Sequence, residues 1–257
     1  FPDFTAEPEQ TPADVLDFPS LGYTYDTLPI VGLALDQTGS MNGITTDPLT
    51  GMPPDVPKWD AAKQGVSFFF QDCEAAYSAR EAYITSGVET FRRIGGVNTF
   101  TNIFAGTPYG LIKTGDPTYS SVNFDAAIAG QTPNGSTPLA GALTDTDTDL
   151  VRAPYGNQPA GQERYLCILT DGIETAPPLL NTLAEPQFPD TAIFAMGFGV
   201  GGGWDGVDYA TIETMTHKGK LLPGITQIFH GENAGEIDKF YTNSIATAIG
   251  YTPTTDP

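Results

Sequence analysis

The sequence predicts an α/β protein with a doubly wound, mainly parallel central sheet flanked by helices. Two patterns carry that expectation: continuously apolar runs of strand length, and amphipathic helical segments that alternate with them. A third is the placing of carboxylates and hydroxyls directly after apolar runs. Those positions are the carboxyl ends of strands, where open parallel sheets bind ligands.

Residues 1–28 are rich in Pro, Asp and Glu without a sustained period and are expected to form an extension. A domain is expected over 29–250, followed by a short tail over 251–257. Its first strand is "IVGLAL" from Ile30, apolar throughout as in a strand covered on both faces. "KWDAAKQGVSFFFQDCEAAY" has helical spacing, with Ala62, Val66, Phe69 and Cys73 on one stripe. "AYITSGVETF" alternates like a strand, and "STPLAGALTDTDTDLVR" reads as a capped helix. "RYLCILTD" and "TAIFAMGFG" are further buried strands, "DYATIETMTHK" is helical, and "TQIFHG" is a short strand. "AGEIDKFYTNSIATAIG" closes the domain as an amphipathic helix. Two stretches dense in Gly, Pro, Asn and Thr, near 42–57 and 93–121, are expected to be long surface loops.

The chain of 257 residues is 40% hydrophobic, enough for one full-sized core. Its 31 acidic and 11 basic residues give a net charge of −20, which repels nucleic-acid phosphates and anionic lipid headgroups. Neither is expected as a partner, and no apolar run approaches the length of a membrane span. The chain begins at Phe1 without Met, is low in Lys and is rich in Thr, Gly and Pro. These features lead to the expectation of a processed product or an excised fragment, extracellular or at the cell surface. Two cysteines, Cys73 and Cys167, cannot build a disulfide framework, and two buried thiols are favoured over a single bridge.

The chemistry concentrates in "PIVGLALDQTGSM". Asp36 ends the apolar run, and Thr38 and Ser40 follow on a loop that Gly39 allows to turn tightly. Asp171 stands at the equivalent end of another strand in "ILTDG", and Thr137 lies in "NGSTPLAGAL" at the entrance to a helix. Two carboxylates and three hydroxyls, without thiolate or imidazole, suit a hard cation. With few charged ligands, such a cation stays under-neutralised and open to a carboxylate from outside.

This pattern resembles the von Willebrand factor type A domain and its metal-ion-dependent adhesion site. The family's Asp-x-Ser-x-Ser motif is similar to Asp36-Gln37-Thr38-Gly39-Ser40, with Thr38 in place of the first serine. Its distal threonine corresponds to Thr137 and its distal aspartate to Asp171. Lys63 in the first helix, "AIFAMGFG" and "EIDKFY" add to the likeness, which covers roughly Pro29 to Gly250. The resemblance implies that Ser40, Thr38 and Thr137 offer oxygens to Mg2+, or to Ca2+ or Mn2+. Asp36 and Asp171 would bind directly or through water. It further implies a non-enzymatic adhesion or protein-binding domain whose cation accepts an Asp or Glu of a protein partner. Asp47 and Asp55, in the long loop beside the site, either extend that surface or are ordinary solvated acids.

Other readings are weaker. "DQTGS" lacks the paired Asp-Thr-Gly of an aspartic protease, because Gln37 interrupts it. A haloacid-dehalogenase-type phosphatase would need a second aspartate where Thr38 stands. Gly197-x-Gly199-x-x-Gly202 follows a strand but lacks the acidic residue of a dinucleotide site about 20 positions on. His217 and His230 are too few for a typical zinc centre. Trp59, Tyr109, Tyr119 and Trp204 are candidates for a recognition surface, or for aromatic anchors of loops. The alternative to adhesion is a structural subunit of a surface layer, pilus tip or particle shell, with possible self-association. A metal-dependent hydrolase is less favoured, for no general base stands beside the site.

Overall fold

The computed structural model describes residues 29–45, 56–78, 84–106, 112–113, 119–152, 163–199 and 208–248. Among these residues nine strands are defined: β1 (Ile30–Asp36), β2 (Ile44–Thr45), β3 (Val56–Pro57), β4 (Thr85–Ile94), β5 (Val97–Asn102), β6 (Ile112–Lys113), β7 (Arg164–Thr170), β8 (Ala192–Phe198) and β9 (Ile228–Gly231). The helices are α1 (Lys58–Ser78), α2 (Ser121–Ile128), α3 (Leu139–Thr146), α4 (Tyr209–His217) and α5 (Ala234–Ala248). The main sheet has the order β5-β4-β1-β7-β8-β9, and β6 also pairs with β4. β4, β1, β7, β8 and β9 are mutually parallel, whereas β5 and β6 run antiparallel to β4. The expected doubly wound, mainly parallel sheet is therefore the observed one.

Alternation along the buried strands shows why both faces need helices. Val31, Leu33 and Leu35 of β1 join Cys167 of β7 and Phe194 of β8 in one core, against Val66, Phe69 and Phe70 of α1 and Ile237 and Tyr241 of α5. Ala34, Leu166, Ile168, Ile193 and Ala195 point the other way, into a second core with Leu139 and Leu143 of α3 and Ile212 and Met215 of α4. Every residue of β1, β7 and β8 is buried. This accounts for their unbroken apolar character. Gly65 of α1 lets α5 come close, since a Cβ there would lie 2.6 Å from Ile237 Cβ.

Three differences from the sequence expectation are informative. Much of the stretch from 93 read as loop is a hairpin, with β4 running to Ile94 and β5 returning from Val97. Gly95 and Gly96 between them have φ of 59° and 84°. Positive φ at both central positions is what a two-residue hairpin turn with the native strand twist requires. Next, α2 lies where no helix was expected, opened by Ser120, whose side chain accepts from the Asn123 amide at 3.1 Å. Lastly, the helix expected through Arg152 changes after Thr146 into a wider π-type turn over Asp147–Arg152. That turn presses Val151 onto Gly32, where a Cβ would come within 2.9 Å of Val151 Cγ2.

The other loop expectation, near 42–57, includes the antiparallel ribbon of β2 and β3. Asp47, Asp55, Tyr109, Trp204 and Gly202, with the extension and the tail, lie outside the described residues. Cys73 and Cys167 are both free thiols, on α1 and β7. Among the described residues no helix is long and apolar enough to cross a membrane.

Candidate metal centre

The chain leaves β1 towards β4 and later crosses to β7 on the opposite side of β1. Strand order thus reverses beside β1, opening a crevice at the carboxyl ends of β1 and β7. Asp36, the last residue of β1, and Asp171, the first after β7, both stand there.

Asp36 is wholly buried. Its Oδ2 accepts from the Thr170 hydroxyl at 2.6 Å, and its Oδ1 accepts from the Thr38 amide at 2.8 Å. Burial, followed by repulsion from Asp171, pushes the Asp36 carboxyl up to about 7, against the opposing pull of the Thr170 and Thr38 hydrogen bonds. Beyond it the chain forms a single tight turn over Gly39–Asn42, pinned into the core by Met41.

That turn brings the hydroxyls together. Ser40 Oγ donates to Asp171 Oδ1 at 2.7 Å, so Thr38 Oγ1 is the donor in its 3.0 Å contact with Ser40 Oγ. Thr137 Oγ1 in turn donates to Thr38 Oγ1 at 3.3 Å. The protons point along Thr137, Thr38 and Ser40 towards Asp171, leaving each hydroxyl oxygen at least one free lone pair. All five residues expected from the sequence thus meet in one cluster. Ser40 is its exposed member, while Asp36, Thr38, Thr137 and Asp171 are buried.

Thr137 is held from three directions. Its amide donates to Thr175 Oγ1 at 2.9 Å, and its carbonyl accepts from the amides of Thr175 and Ala176. Just before it, Ser136 exchanges backbone hydrogen bonds with Arg93 of β4, and the Gly135 carbonyl accepts from the Gly39 amide at 3.0 Å. Gly135 has φ of 86°, and a Cβ there would lie 2.2 Å from the Arg93 carbonyl oxygen. Both the left-handed backbone and the clash exclude a side chain. Gly135→Ala is expected to cost about 1–3 kcal/mol and to weaken any cation binding at the cluster by shifting Thr137. Urea unfolding together with a manganese titration would check both effects.

Sequence reading missed four contributors. Lys58, the first residue of α1, places Nζ 2.7 Å from Asp171 Oδ2. Thr170 orients Asp36, as above. Gln37 is buried, accepting from Thr90 Oγ1 and donating to Gln131 Oε1 and the Thr132 carbonyl, so it ties β4 and the Thr137 loop to β1. Glu174 caps α3 from a distance, accepting from the amides of Ala140 at 2.9 Å and Leu180 at 2.6 Å. No local motif marks these residues, because each has a partner at least 34 positions away that only the fold brings near.

The remaining candidates lie elsewhere. Trp59 is buried and donates from Nε1 to the Gln131 carbonyl at 2.9 Å, and Tyr119 is buried against Phe70, so both are anchors. Lys63 pairs with Asp60 along α1. His217 ends α4 and His230 lies on β9.

Among the described residues no three Asp, Glu, His or Cys side chains form a metal-binding group. The cluster is of another kind, two carboxylates and three hydroxyls. Its all-oxygen donors fit a hard divalent cation such as magnesium, manganese or calcium.

No protein-family profile matches the chain, and no curated protein matches its sequence. Solved structures do match in fold. A von Willebrand factor type A protein from Catenulispora acidiphila aligns with TM-score 0.57 at 13% identity, over 87% of this chain and 43% of that one. The pilus adhesin SpaC from Lactobacillus rhamnosus GG gives 0.55 at 14% identity, over 88% and 31%. The manganese-loaded TRAP protein of Plasmodium vivax gives 0.50 at 14% identity, over 86% and 74%. The chain spans less than half the length of the first two. Its fold is that of the von Willebrand factor type A domain.

Proposed function

We propose that this chain, on its von Willebrand factor type A fold, is an adhesion or protein-binding domain that works through a divalent cation at the β1–β7 crevice. Asp36, Thr38, Ser40, Thr137 and Asp171 would hold the ion. When bound, the ion supplies a Lewis-acidic position for an Asp or Glu of a protein partner. The carrying observation is the single hydrogen-bonded cluster in which Ser40, the exposed member, bonds to buried Asp171.

Each residue has a distinct task. Asp36 and Asp171 bring the negative charge that attracts the ion, and Asp36 also orders the Thr38 amide. The three hydroxyls offer neutral oxygens, which bind without cancelling the cation's charge. A cation there gives an otherwise strongly acidic protein one local acceptor for anions. The adhesin and the manganese-loaded protein among the structural neighbours support this reading. We favour binding over catalysis. Both carboxylates of the cluster, Asp36 and Asp171, are assigned to holding the ion in this reading and so are not free to act as a general base.

The test is thermal unfolding in EDTA and in excess magnesium, calcium or manganese, for the wild type and Asp36→Asn. An ion at 100 times its dissociation constant adds about 2.7 kcal/mol, a rise of several degrees for a chain of this size. The wild type is expected to show that rise and the variant to lack it. A partner captured in manganese should then elute in EDTA. A partner that stays bound in excess chelator would refute the cation-bridged mechanism.

A further inference from the structure

Lys58 is the feature of this site that the cation reading leaves unused. Its ammonium lies 2.7 Å from Asp171 Oδ2, with the two side chains 15% and 0% exposed. The other oxygen of Asp171 accepts from Ser40. Both oxygens of the distal carboxylate are therefore engaged, one of them by a full positive charge.

The local structure holds Lys58 in that place. β2 and β3 pair antiparallel, Ile44 with Pro57 and Thr45 with Val56, and return the chain from the Ser40 turn to the start of α1. The Lys58 amide then donates to the Gly43 carbonyl at 2.7 Å. Its side-chain stem passes over Gly43, where a Cβ would lie 3.5 Å from Lys58 Cε. Helix electrostatics do not explain the residue, since a cation at the first position of a helix opposes the macrodipole. Its compensation is Asp171. A divalent ion held by the same carboxylate would meet a like charge at close range in a partly buried site, where charges are weakly screened.

From this we infer that Lys58 is a tethered cation that competes with the divalent ion for Asp171 and sets the ion affinity of the site. In the metal-free chain Lys58 neutralises Asp171. Ion binding displaces the ammonium from Oδ2, and the energy of that displacement is subtracted from the affinity. This inference rests on the cation reading above and adds a regulator to it.

Manganese binding, read from the electron paramagnetic resonance of the free ion, tests the exchange in the wild type, Lys58→Met, Lys58→Gln and Lys58→Arg. Gln keeps a hydrogen-bond donor without the charge and serves if the Met variant folds poorly. Folding of each variant in EDTA is checked by circular dichroism. The neutral variants are expected to bind manganese at least tenfold more tightly than the wild type, about 1.4 kcal/mol. Lys58→Arg, which keeps the charge, should stay near the wild-type value. In EDTA the neutral variants should unfold at lower temperature, because Asp171 loses its counter-ion. Binding by the neutral variants alone would support the inference, with Lys58 as the resident cation of the natural chain. Equal affinity in the wild type and the neutral variants would overturn the inference and leave the cation reading standing. No binding by any of the four proteins would overturn the cation reading and this inference together.

Discussion

Phe70→Ala is expected to cost about 3–5 kcal/mol, the largest loss among the substitutions considered for this protein. Phe70 is fully buried on α1 and touches four other rings. It stacks on Phe124 of α2 at 5.4 Å and meets Tyr119, Phe69 and Phe104 edge-on at 5.2, 5.6 and 5.8 Å. Phe69 extends the cluster to Tyr241 of α5 at 5.5 Å. Removing the ring deletes its burial and leaves a cavity whose walls come from α1, α2 and the segments that carry Phe104 and Tyr119, which cannot all collapse into it. None of the ring partners belongs to the cation cluster. The variant should therefore leave the proposed manganese binding intact while its urea midpoint falls, with the slope of the transition unchanged. A loss under about 1 kcal/mol would show that the aromatic cluster is looser than its ring geometry implies.

The second large effect is a pH dependence centred on Glu89. This residue lies on β4, almost wholly buried, and its Oε1 accepts from Thr146 Oγ1 at 2.8 Å. Burial and the nearby charge of Asp145 push its carboxyl from an ordinary 4.5 up to about 8; Asp149 adds to the rise, and the Thr146 hydrogen bond opposes it. The folded chain thus holds a proton that the unfolded chain releases. The associated stability is complete below about 4.5 and is lost as pH rises through about 8. Within that window each pH unit costs up to about 1.4 kcal/mol. Glu89→Gln keeps the shape and stays neutral, so it is expected to come close to the wild type near pH 4.5 and to exceed its stability by up to about 4 kcal/mol at pH 8. Urea midpoints of both proteins in EDTA at pH 5, 6.5 and 8 would measure the difference. Asp36 titrates in both proteins alike, whereas Asp145, raised by its own burial and hydrogen-bonded to Glu89, shares in the measured difference. Parallel pH slopes would mean that the Glu89 carboxyl is solvated in the folded state.

The strands were legible wherever burial on both faces made the apolar run continuous, as in "IVGLAL", "RYLCILT" and "AIFAMGF". β5 was not, because its edge position tolerates Asn and Thr, and "VNTFTN" carries little apolar signal beside the diagnostic Gly95-Gly96 turn. α2 was hidden for a related reason. Its eight residues bury only Ser121, Phe124 and Ile128, too few to establish a period. The five candidate ligands were legible because each follows a strand or a glycine turn at a spacing that can be read locally.

By itself, the sequence determined the alternation of buried strands with amphipathic helices, and with it a doubly wound sheet. Chain order and the polar residues after β1 and β7 further determined at which end of that sheet those side chains would gather. Only the tertiary structure decided how those residues are wired together. Lys58 lies 113 positions from Asp171, Thr170 lies 134 from Asp36, and Thr137 lies 99 from Thr38. No local preference encodes such pairs. They follow from parallel register, which sets Leu35 opposite Leu169 and so brings Asp36 beside Thr170, and from the β2–β3 ribbon that carries Lys58 back to the crevice. A hydrogen bond or an ion pair is a short-range interaction. Its members are specified by where strands and turns deliver them, and that delivery is a property of the packed chain.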